Sequence, residues 1–185
     1  MSKNITRKRR ILPWIVAFLT LVLVIISKTA YSAGETDFRQ GMTHYKNRQF
    51  DQALPCLEKA ANAGNTDAQA MMGVLYFRGN GVKQNDSEAA RWFEKAARAG
   101  ETNAQNYLAT AYMKGQGTTP DTAKAIYWYT RAAKAGDANA QKILGALYLN
   151  GHDGVTKDTA KARQWLRKAA DQGDTDAEQL LRQIP

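Results

Sequence analysis

Cysteine is almost absent from this chain of 185 residues, because Cys56 is the only one. A single cysteine excludes both an intramolecular disulfide and a metal site built from several thiolates. Histidine is almost as scarce, since only His44 and His152 occur, and they are not spaced as paired metal ligands on one helix. No serine or cysteine occupies a nucleophile-elbow motif. The sequence therefore predicts a protein that is not an enzyme and has no catalytic residue, metal site or cofactor.

Acidic residues are absent before Glu35, whereas six of the 26 Lys and Arg residues lie in that N-terminal part. The formal net charge of the chain is +9, but residues 33–185 contain 20 basic and 17 acidic residues, a net charge of +3. The excess positive charge is thus concentrated at the N-terminus, and the rest of the chain has the mixed charge of an ordinary solvated surface. The sequence therefore predicts no nucleic-acid partner.

Charge is also absent from residues 11–27, an apolar run that follows a basic stretch. Two interpretations of residues 1–32 stay open. Residues 30–32 place small side chains at the two positions that signal peptidase recognises, which favours a signal peptide and a mature N-terminus at Ala33. In the second interpretation the apolar run is retained as a membrane anchor, and as a helix of 17 residues it is about 25 Å long, slightly shorter than the apolar core of a bilayer. In both interpretations the basic flank predicts that the rest of the chain is exported.

A five-residue pattern of small residues recurs four times, at residues 60–64, 96–100, 132–136 and 169–173. The glycines that end it are 36, 36 and 37 residues apart. A fixed period of this length predicts an array of stacked helix pairs, each of which buries its apolar face against its neighbours. The predicted units are a first, tetratricopeptide-like repeat at residues 34–64, three repeats at 65–100, 101–136 and 137–173, and a C-terminal capping helix at 174–185.

Each unit is predicted to contain two helices, A and B. In the first repeat they span about residues 36–47 and 51–62, with Pro55 close to the start of helix B, where a missing amide donor costs little. Helix A of the later units opens with a capping box or a capping aspartate, at Thr66–Gln69, Thr102–Gln105, Asp137 and Thr175–Glu178. Helix B begins near Asp86, near Pro120 or Asp121, and near Asp158.

Two kinds of residue recur inside these helices. A small residue at the centre of helix A predicts close contact with another helix, and it occurs as Gly73, Ala109 and Gly145. A tryptophan recurs in helix B as Trp92, Trp128 and Trp165. Its constant position predicts a core residue between repeats rather than a stacking site for a ligand.

The repeated motif resembles the Sel1-like repeat, a subfamily of tetratricopeptide-like repeats. Residues 137–173 show it through Ala140–Gln141, Leu144–Gly145, Tyr148, Gly151, Trp165 and Ala169–Ala170. The resemblance covers about residues 60–184, whereas residues 34–60 are closer to a plain tetratricopeptide repeat. It implies an all-α fold, a right-handed α-solenoid of antiparallel helix pairs, that acts as a scaffold or adaptor for other proteins.

The same resemblance bears on location. Exported bacterial members of the family are similar in having an N-terminal membrane-targeting segment, which implies a periplasmic protein, either free or held at the inner membrane through residues 11–27. A cysteine-rich branch of the family pairs two cysteines in each repeat. This chain lacks those cysteines, so the penicillin-binding activity proposed for that branch does not carry over.

Helix A of each unit lines the concave surface of such a solenoid, and its outward positions can be counted from the central small residue. The predicted partner-binding residues are Arg39, Met71, Val74, Phe77, Arg78, Asn103, Asn106, Tyr107, Thr110, Lys114, Lys142 and Ile143. These apolar groups, amides and cations suit an extended peptide that carries backbone carbonyls and some acidic groups. For Met71, Tyr107 and Ile143, packing between helices is the alternative interpretation.

The sequence therefore predicts a non-catalytic scaffold that presents a concave helical surface to a protein or peptide outside the cytoplasm. Functions of other classes stay open as alternatives. They are a cell-wall or β-lactam-related enzyme, a peptidoglycan-associated factor, and a structural regulator that acts through its membrane segment.

Overall fold

The computed structural model describes residues 34–152 and 154–184 of the chain. The regular structure in these two ranges is helical and comprises α1 (residues 34–46), α2 (Phe50–Asn62), α3 (Thr66–Arg78), α4 (Asp86–Arg98), α5 (Thr102–Lys114), α6 (Thr122–Lys134), α7 (Ala138–Asn150), α8 (Thr159–Ala170) and α9 (Thr175–Arg182). Each helix from α2 onward packs against the next one along the chain. Short loops join them, so they form successive antiparallel pairs with α9 at the end.

The predicted signal peptide or membrane anchor at residues 1–32 lies outside the described residues. Within the two described ranges, no helix is both long enough and apolar enough to cross a membrane.

Side chains at the helix starts cap the free amide groups. Asp121, Asp137 and Asp158 cap α6, α7 and α8, as predicted. The caps of α3, α4, α5 and α9 lie one residue before the predicted ones: Asn65, Asn85, Glu101 and Asp174. Asn65, for example, accepts a hydrogen bond of 2.8 Å from the amide of Ala68, the third residue of α3. The following threonine is already helical, so its side chain cannot take this position.

Pro55 lies deeper in α2 than predicted, because it is the sixth residue of Phe50–Asn62. Its ring nitrogen donates no hydrogen bond to the carbonyl of Asp51, four residues earlier. The proline is exposed, which leaves this carbonyl on the side of the helix that water reaches. The helix therefore continues through the proline.

Glycines at the centre of helix A bring the two helices of a unit into contact. A Cβ atom on Gly73 would lie 2.6 Å from the ring of Phe93 in α4, and one on Gly145 would lie 2.4 Å from Cγ of Leu166 in α8. At these distances a side chain would displace the partner helix. The predicted close helix contact is confirmed at both glycines.

The repeated tryptophans join neighbouring units. Trp92 of α4 belongs to a buried cluster with Leu57 of α2 and Met72 of α3. Trp128 of α6 belongs to the next cluster, which contains Phe93 of α4, and Trp165 of α8 packs against this same cluster. Each indole thus lies in a core shared with the preceding unit, which confirms the predicted role.

The loop between α5 and α6 also connects two units. Gly117 in this loop has a φ of +72°, a conformation that glycine adopts readily. A Cβ atom on it would lie 2.1 Å from the carbonyl oxygen of Asp86, the first residue of α4. The loop of one repeat therefore rests directly on the backbone of the repeat before it.

Candidate functional site

Two neighbouring cavities lie against α5, which is helix A of the third repeat. The larger one is lined mainly by α4, α5 and the start of α7, and the smaller one by α1, α3 and α5. Their volumes are about 430 Å³ and 340 Å³. Both are lined by Phe93, Asn103 and Tyr107, and we call the two cavities together the Tyr107 groove. Of the predicted binding residues, the groove is lined by Met71, Val74, Phe77, Asn103, Asn106, Tyr107, Thr110 and Lys114.

Tyr107 is the central aromatic side chain of this groove. Its ring stacks on the buried ring of Phe93, with centroids 4.8 Å apart and planes inclined by 8°, and a second centroid, that of Phe77, lies 6.1 Å away. Tyr107 is nevertheless 39% exposed. Stacking restrains the ring while part of the residue stays exposed, so it presents a rigid apolar surface. The packing and binding interpretations of Tyr107 are therefore compatible.

Polar side chains of α5 line the larger cavity next to Tyr107. The amide nitrogen of Asn106 donates a hydrogen bond of 3.0 Å to Asp137, the residue that caps α7. The hydroxyl of Thr110 lies 2.9 Å from that of Tyr129 and donates to the backbone carbonyl of Asn106. Burial raises the pKa of Tyr129, partly opposed by the hydrogen bond with Thr110. These bonds hold α5 against α6 and α7 and fix the groove wall.

Charged groups of both signs also lie at the larger cavity. Lys114 at the end of α5 is exposed and, among the described residues, has no carboxylate within ion-pair distance. Asp86 lies across the cavity, and its Oδ1 atom is buried without a hydrogen-bond donor in the described part of the chain. A buried oxygen without a donor is costly. Within the part of the chain that the structure describes, Lys114 is thus a groove cation without an ion pair, whereas the Asp86 oxygen is enclosed in the groove wall.

Comparison with known families accounts for this architecture. The sequence model of the Sel1 repeat matches residues 40–65, 66–101, 102–137 and 138–174, most of the described chain. This chain belongs to the Sel1 repeat family. The match at residues 40–65 includes most of the unit that the sequence predicts to be closer to a plain tetratricopeptide repeat. Among curated proteins, none matches the sequence.

Solved structures of Sel1 repeat proteins are similar to this one. A Sel1 repeat protein of Oxalobacter formigenes is 36% identical with a TM-score of 0.71, over 76% of this chain and 57% of the other. The c5321 protein of uropathogenic Escherichia coli, a protective antigen with this fold, is 32% identical with a TM-score of 0.75, over 84% of this chain and 34% of the other. This chain therefore spans about half and about a third of the two proteins. The predicted fold class, an all-α solenoid of antiparallel helix pairs, is confirmed.

A more distant relative has the same fold. Cysteine-rich protein B of Helicobacter pylori is 21% identical with a TM-score of 0.54, over 63% of this chain and 90% of the other. Sel1 repeat proteins generally act as scaffolds for protein–protein interactions, and the family fold is generally non-catalytic. Within the described residues of this Sel1 array, no group of three or more His, Cys, Asp or Glu side chains is placed to hold a metal ion.

Four predicted binding residues do not line the Tyr107 groove. Arg39 is exposed and pairs with Glu35 at 2.9 Å on α1. Arg78 lines a separate cavity beside Lys46 and Arg48. Ile143 packs against the core, in agreement with its alternative interpretation, and Lys142 is engaged by the capping helix. Counting outward positions along helix A identifies a face but not the helix that packs on it. A role in partner binding stays a prediction for these four residues.

Other groove residues were missed because they do not belong to helix A. Asp86, Ala89, Ala90 and Phe93 reach the groove from α4, and Gln116 reaches it from the loop after α5. The adjacent alanines of α4 are the sequence signal for the part of the groove formed by this helix, since two small side chains leave space beside it. The periodic pattern alone does not separate such space from ordinary close packing.

Lys142 joins the last repeat of the Sel1 array to the capping helix. Its ammonium group lies 2.9 Å from Asp176 and 3.2 Å from Asp174, the residue that caps α9. The hydrogen bond to Asp176, with a further one to Asp174, raises the pKa of Lys142. Burial acts to raise the pKa of Asp174, but hydrogen bonds from the Ala177 amide and from Lys142 outweigh it and hold that pKa below 3.8.

This contact predicts a loss of stability in acid. A carboxylate whose pKa is lower in the folded state than in the unfolded state stabilises the fold above its unfolded pKa. For Asp174 that contribution is complete above pH 3.8 and is lost as the pH falls through the lowered folded value. We expect the Tm of Asp174→Asn, which retains a capping side chain, to lie below that of the wild type at neutral pH and to converge with it in acid. Thermal melts of both proteins between about pH 7 and pH 2 measure the difference.

Asp171→Asn is the matched control for this experiment, because it removes an exposed aspartate at the end of the preceding helix. Its Tm is expected to follow that of the wild type throughout. If Asp174→Asn melts in parallel with the wild type at every pH, the carboxylate of Asp174 does not hold the capping helix.

Proposed function

We propose that this protein is a non-catalytic scaffold that binds an extended segment of a partner protein or peptide in the Tyr107 groove. We further propose that it works outside the cytoplasm, at a membrane to which residues 1–32 direct it. Residues 11–27 serve as the membrane segment for as long as residues 1–32 are retained. The scaffold function of the Sel1 family supports the first part of the proposal, and the apolar run after a basic flank supports the second.

Tyr107 is the observation that carries this proposal. Interfaces take much of their binding energy from a few rigid aromatic side chains near their centre. Tyr107 meets that description, because Phe93 and Phe77 support it within the protein while part of its surface remains exposed. A side chain of the partner that stacks on the open face of this ring gains apolar contact without having to order a mobile loop.

The polar groups around Tyr107 fit the backbone of an extended segment. Asn103 on one side and Asn139 on the other line the larger cavity together with Gln116, and each carries an amide that can both donate and accept a hydrogen bond. Lys114 supplies a cation for an acidic group of the partner. This combination favours a peptide over a small apolar ligand, which would leave the amides without partners.

Tyr107→Ala tests the groove directly. A partner is first recovered by crosslinking the full-length protein in membranes, and its affinity is then measured by titration. We expect Tyr107→Ala to weaken binding on the order of 10-fold to 100-fold, because truncation of a central aromatic side chain removes most of its contact area. The same titration with Lys114→Gln, which removes the free cation, is expected to give a smaller loss that declines at high salt.

Tyr127→Ala is the matched control, because Tyr127 of α6 is also an exposed tyrosine, 52% accessible, but lies outside the groove. It is expected to bind the partner with wild-type affinity. Thermal melts of both variants show whether either one is unfolded. Equal affinities of wild type and Tyr107→Ala for every recovered partner would rule out the Tyr107 groove as the binding surface.

A further inference from the structure

Helices α6 and α8 differ from the rest of the array in their charge. Together they contain seven Lys and Arg residues and no Asp or Glu. Residues 121–171 as a whole hold nine basic and five acidic residues, a net charge of +4, which exceeds the +3 of residues 33–185. The remainder of the folded chain is therefore slightly acidic. The mild overall charge conceals one basic region formed by helix B of the third and fourth repeats.

The basic side chains of α6 lie on one face of the helix. Lys124, Tyr127, Arg131 and Lys134 follow one another at intervals of three, four and three residues, and all are exposed. This spacing places them along one stripe of the helix surface. Trp128 and Tyr129 of the same helix are buried, so the stripe points away from the core.

The stripe continues on α8. Lys161 and Lys168 lie 37 residues after Lys124 and Arg131, the offset that also relates Trp165 to Trp128. Trp165 packs against the core cluster that contains Trp128, so the two helices share a core and present equivalent residues to solvent. Arg167 precedes Lys168 and is also exposed. We call the surface formed by Lys124, Tyr127, Arg131, Lys134, Lys161, Arg167 and Lys168 the α6–α8 basic face.

Aromatic rings hold two cations of this face in place. The guanidinium of Arg131 lies 5.7 Å from the Trp128 ring and donates a hydrogen bond of 3.2 Å to the Tyr127 hydroxyl. The ammonium of Lys168 lies 4.6 Å from the Trp165 ring. Such contacts orient a cation without neutralising its charge. The positive charge of this face therefore remains available to a partner.

Helix α4 has an equivalent pair of a lysine and a tryptophan, but the helix is not basic. Lys95 lies 3.9 Å from the Trp92 ring, yet Glu94 pairs with Arg98 at 2.7 Å and Glu88 pairs with Arg91 at 3.3 Å. On the α6–α8 basic face, Lys124 and Lys161 pair with the carboxylates of the capping residues Asp121 and Asp158. The other cations of this face, Arg131, Lys134, Arg167 and Lys168, have no ion pair within the described residues.

We infer that the α6–α8 basic face docks on a lipid surface that carries anionic phosphate headgroups. Exposed Tyr127 and half-buried Trp165 are residues that favour the interface between lipid and water, and each nearby Lys or Arg adds attraction to anionic lipid. With residues 11–27 in a membrane, the chain itself keeps a lipid surface close to the fold, because its apolar run ends at residue 27 and the described fold begins at residue 34. This inference rests on the proposed membrane location, and it leaves the Tyr107 groove on α3 and α5 free for a partner.

Lysine footprinting of the full-length chain tests the inference. The protein is reconstituted in vesicles of phosphatidylglycerol with phosphatidylcholine, and in vesicles of phosphatidylcholine alone, and is acetylated with a membrane-impermeant reagent. We expect Lys134 and Lys168 to react roughly fivefold to tenfold more slowly in the anionic vesicles, because each basic residue near such a surface contributes roughly fivefold to binding. Lys46 and Lys83, which lie outside the face, are expected to react equally in both. The protection is expected to decrease as salt is added.

Paired substitutions distinguish the effect of this face from the effect of the total charge of the chain. Arg131→Gln with Arg167→Gln is expected to abolish most of the protection of Lys134 and Lys168, whereas the matched pair Arg48→Gln with Arg78→Gln is expected to leave it unchanged. Equal protection in the two kinds of vesicle, or an equal loss in the two variants, would overturn the inference. Stronger protection by soluble single-stranded DNA than by anionic vesicles would overturn it in favour of a nucleic-acid partner. Retention of the chain in vesicles after alkaline extraction reports separately on residues 11–27, and Tyr107→Ala reports separately on the groove.

Discussion

Gly117→Ala is expected to lower the free energy of unfolding by roughly 3–5 kcal/mol, although it adds a single methyl group. The new Cβ would lie 2.1 Å from the carbonyl oxygen of Asp86 and 2.7 Å from the amide nitrogen of Ser87. Both are backbone atoms in the first turn of α4, so no side chain can rotate away. The positive φ of +72° adds the cost of a left-handed conformation. Denaturant unfolding followed by circular dichroism measures the loss.

Gly154→Ala separates the cost of the steric clash at Gly117 from the cost of the left-handed conformation. Gly154 lies in the corresponding loop of the next repeat with a φ of +78°, but a Cβ there would have no atom within 4 Å. It therefore carries only the conformational cost, about 1–2 kcal/mol. If Gly117→Ala is no more destabilising than Gly154→Ala, the loop does not rest on α4 as described. The contact also affects the groove, because Asp86 and Gln116 both line its larger cavity.

Trp128→Ala has the second largest expected effect, a loss of about 3–5 kcal/mol. Trp128 is only 8% exposed and shares its core cluster with Phe93 of the preceding repeat. In an array where each unit is stabilised by its neighbours, a cavity at one junction weakens the coupling between the two sides. We therefore expect helices α6 to α9 to exchange their amide hydrogens faster than α2 to α4, as measured by hydrogen exchange with mass spectrometry.

The neighbouring Tyr127→Ala is the control for this effect. It removes a ring of similar size from the same turn of α6, but that ring is 52% exposed, so the expected cost is below about 1 kcal/mol. Uniform acceleration of exchange in all helices of the Trp128→Ala protein, with no difference between the two ends, would contradict the assignment of this indole to a junction between repeats.

Much of the fold was predictable because it depends on patterns that repeat. The spacing of 36 or 37 residues predicted an array of helix pairs, and the tryptophans predicted the core between units. The central glycines predicted close helix contacts, which the structure shows at Phe93 and Leu166. Helix starts were displaced by one residue where the side chain before a predicted threonine cap accepts the amide hydrogen bonds instead, as at Asn65 and Glu101. Pro55 was misplaced because an exposed proline can be accommodated within a helix that packs through its other face.

The candidate site was predictable only in part, for a physical reason. Helical periodicity indicates which residues of α5 point outward, and Asn103, Asn106, Tyr107 and Lys114 were found in this way. It does not indicate which other element reaches the same space. The approach of α4 depends on the small side chains of Ala89 and Ala90, and the loss of Lys142 from the surface depends on where α9 docks. Both depend on contacts between helices that are distant in sequence.

Site-specific photocrosslinking most directly tests the claim that the Tyr107 groove is where this scaffold binds its partner. A photoreactive amino acid replaces Tyr107 in one full-length protein and Tyr127 in another, and each is irradiated in membranes with its partner present. We expect an adduct from position 107 that contains an extended segment of the partner, and none of that segment from position 127. An adduct of the same segment from position 127 but not from position 107 would contradict this claim.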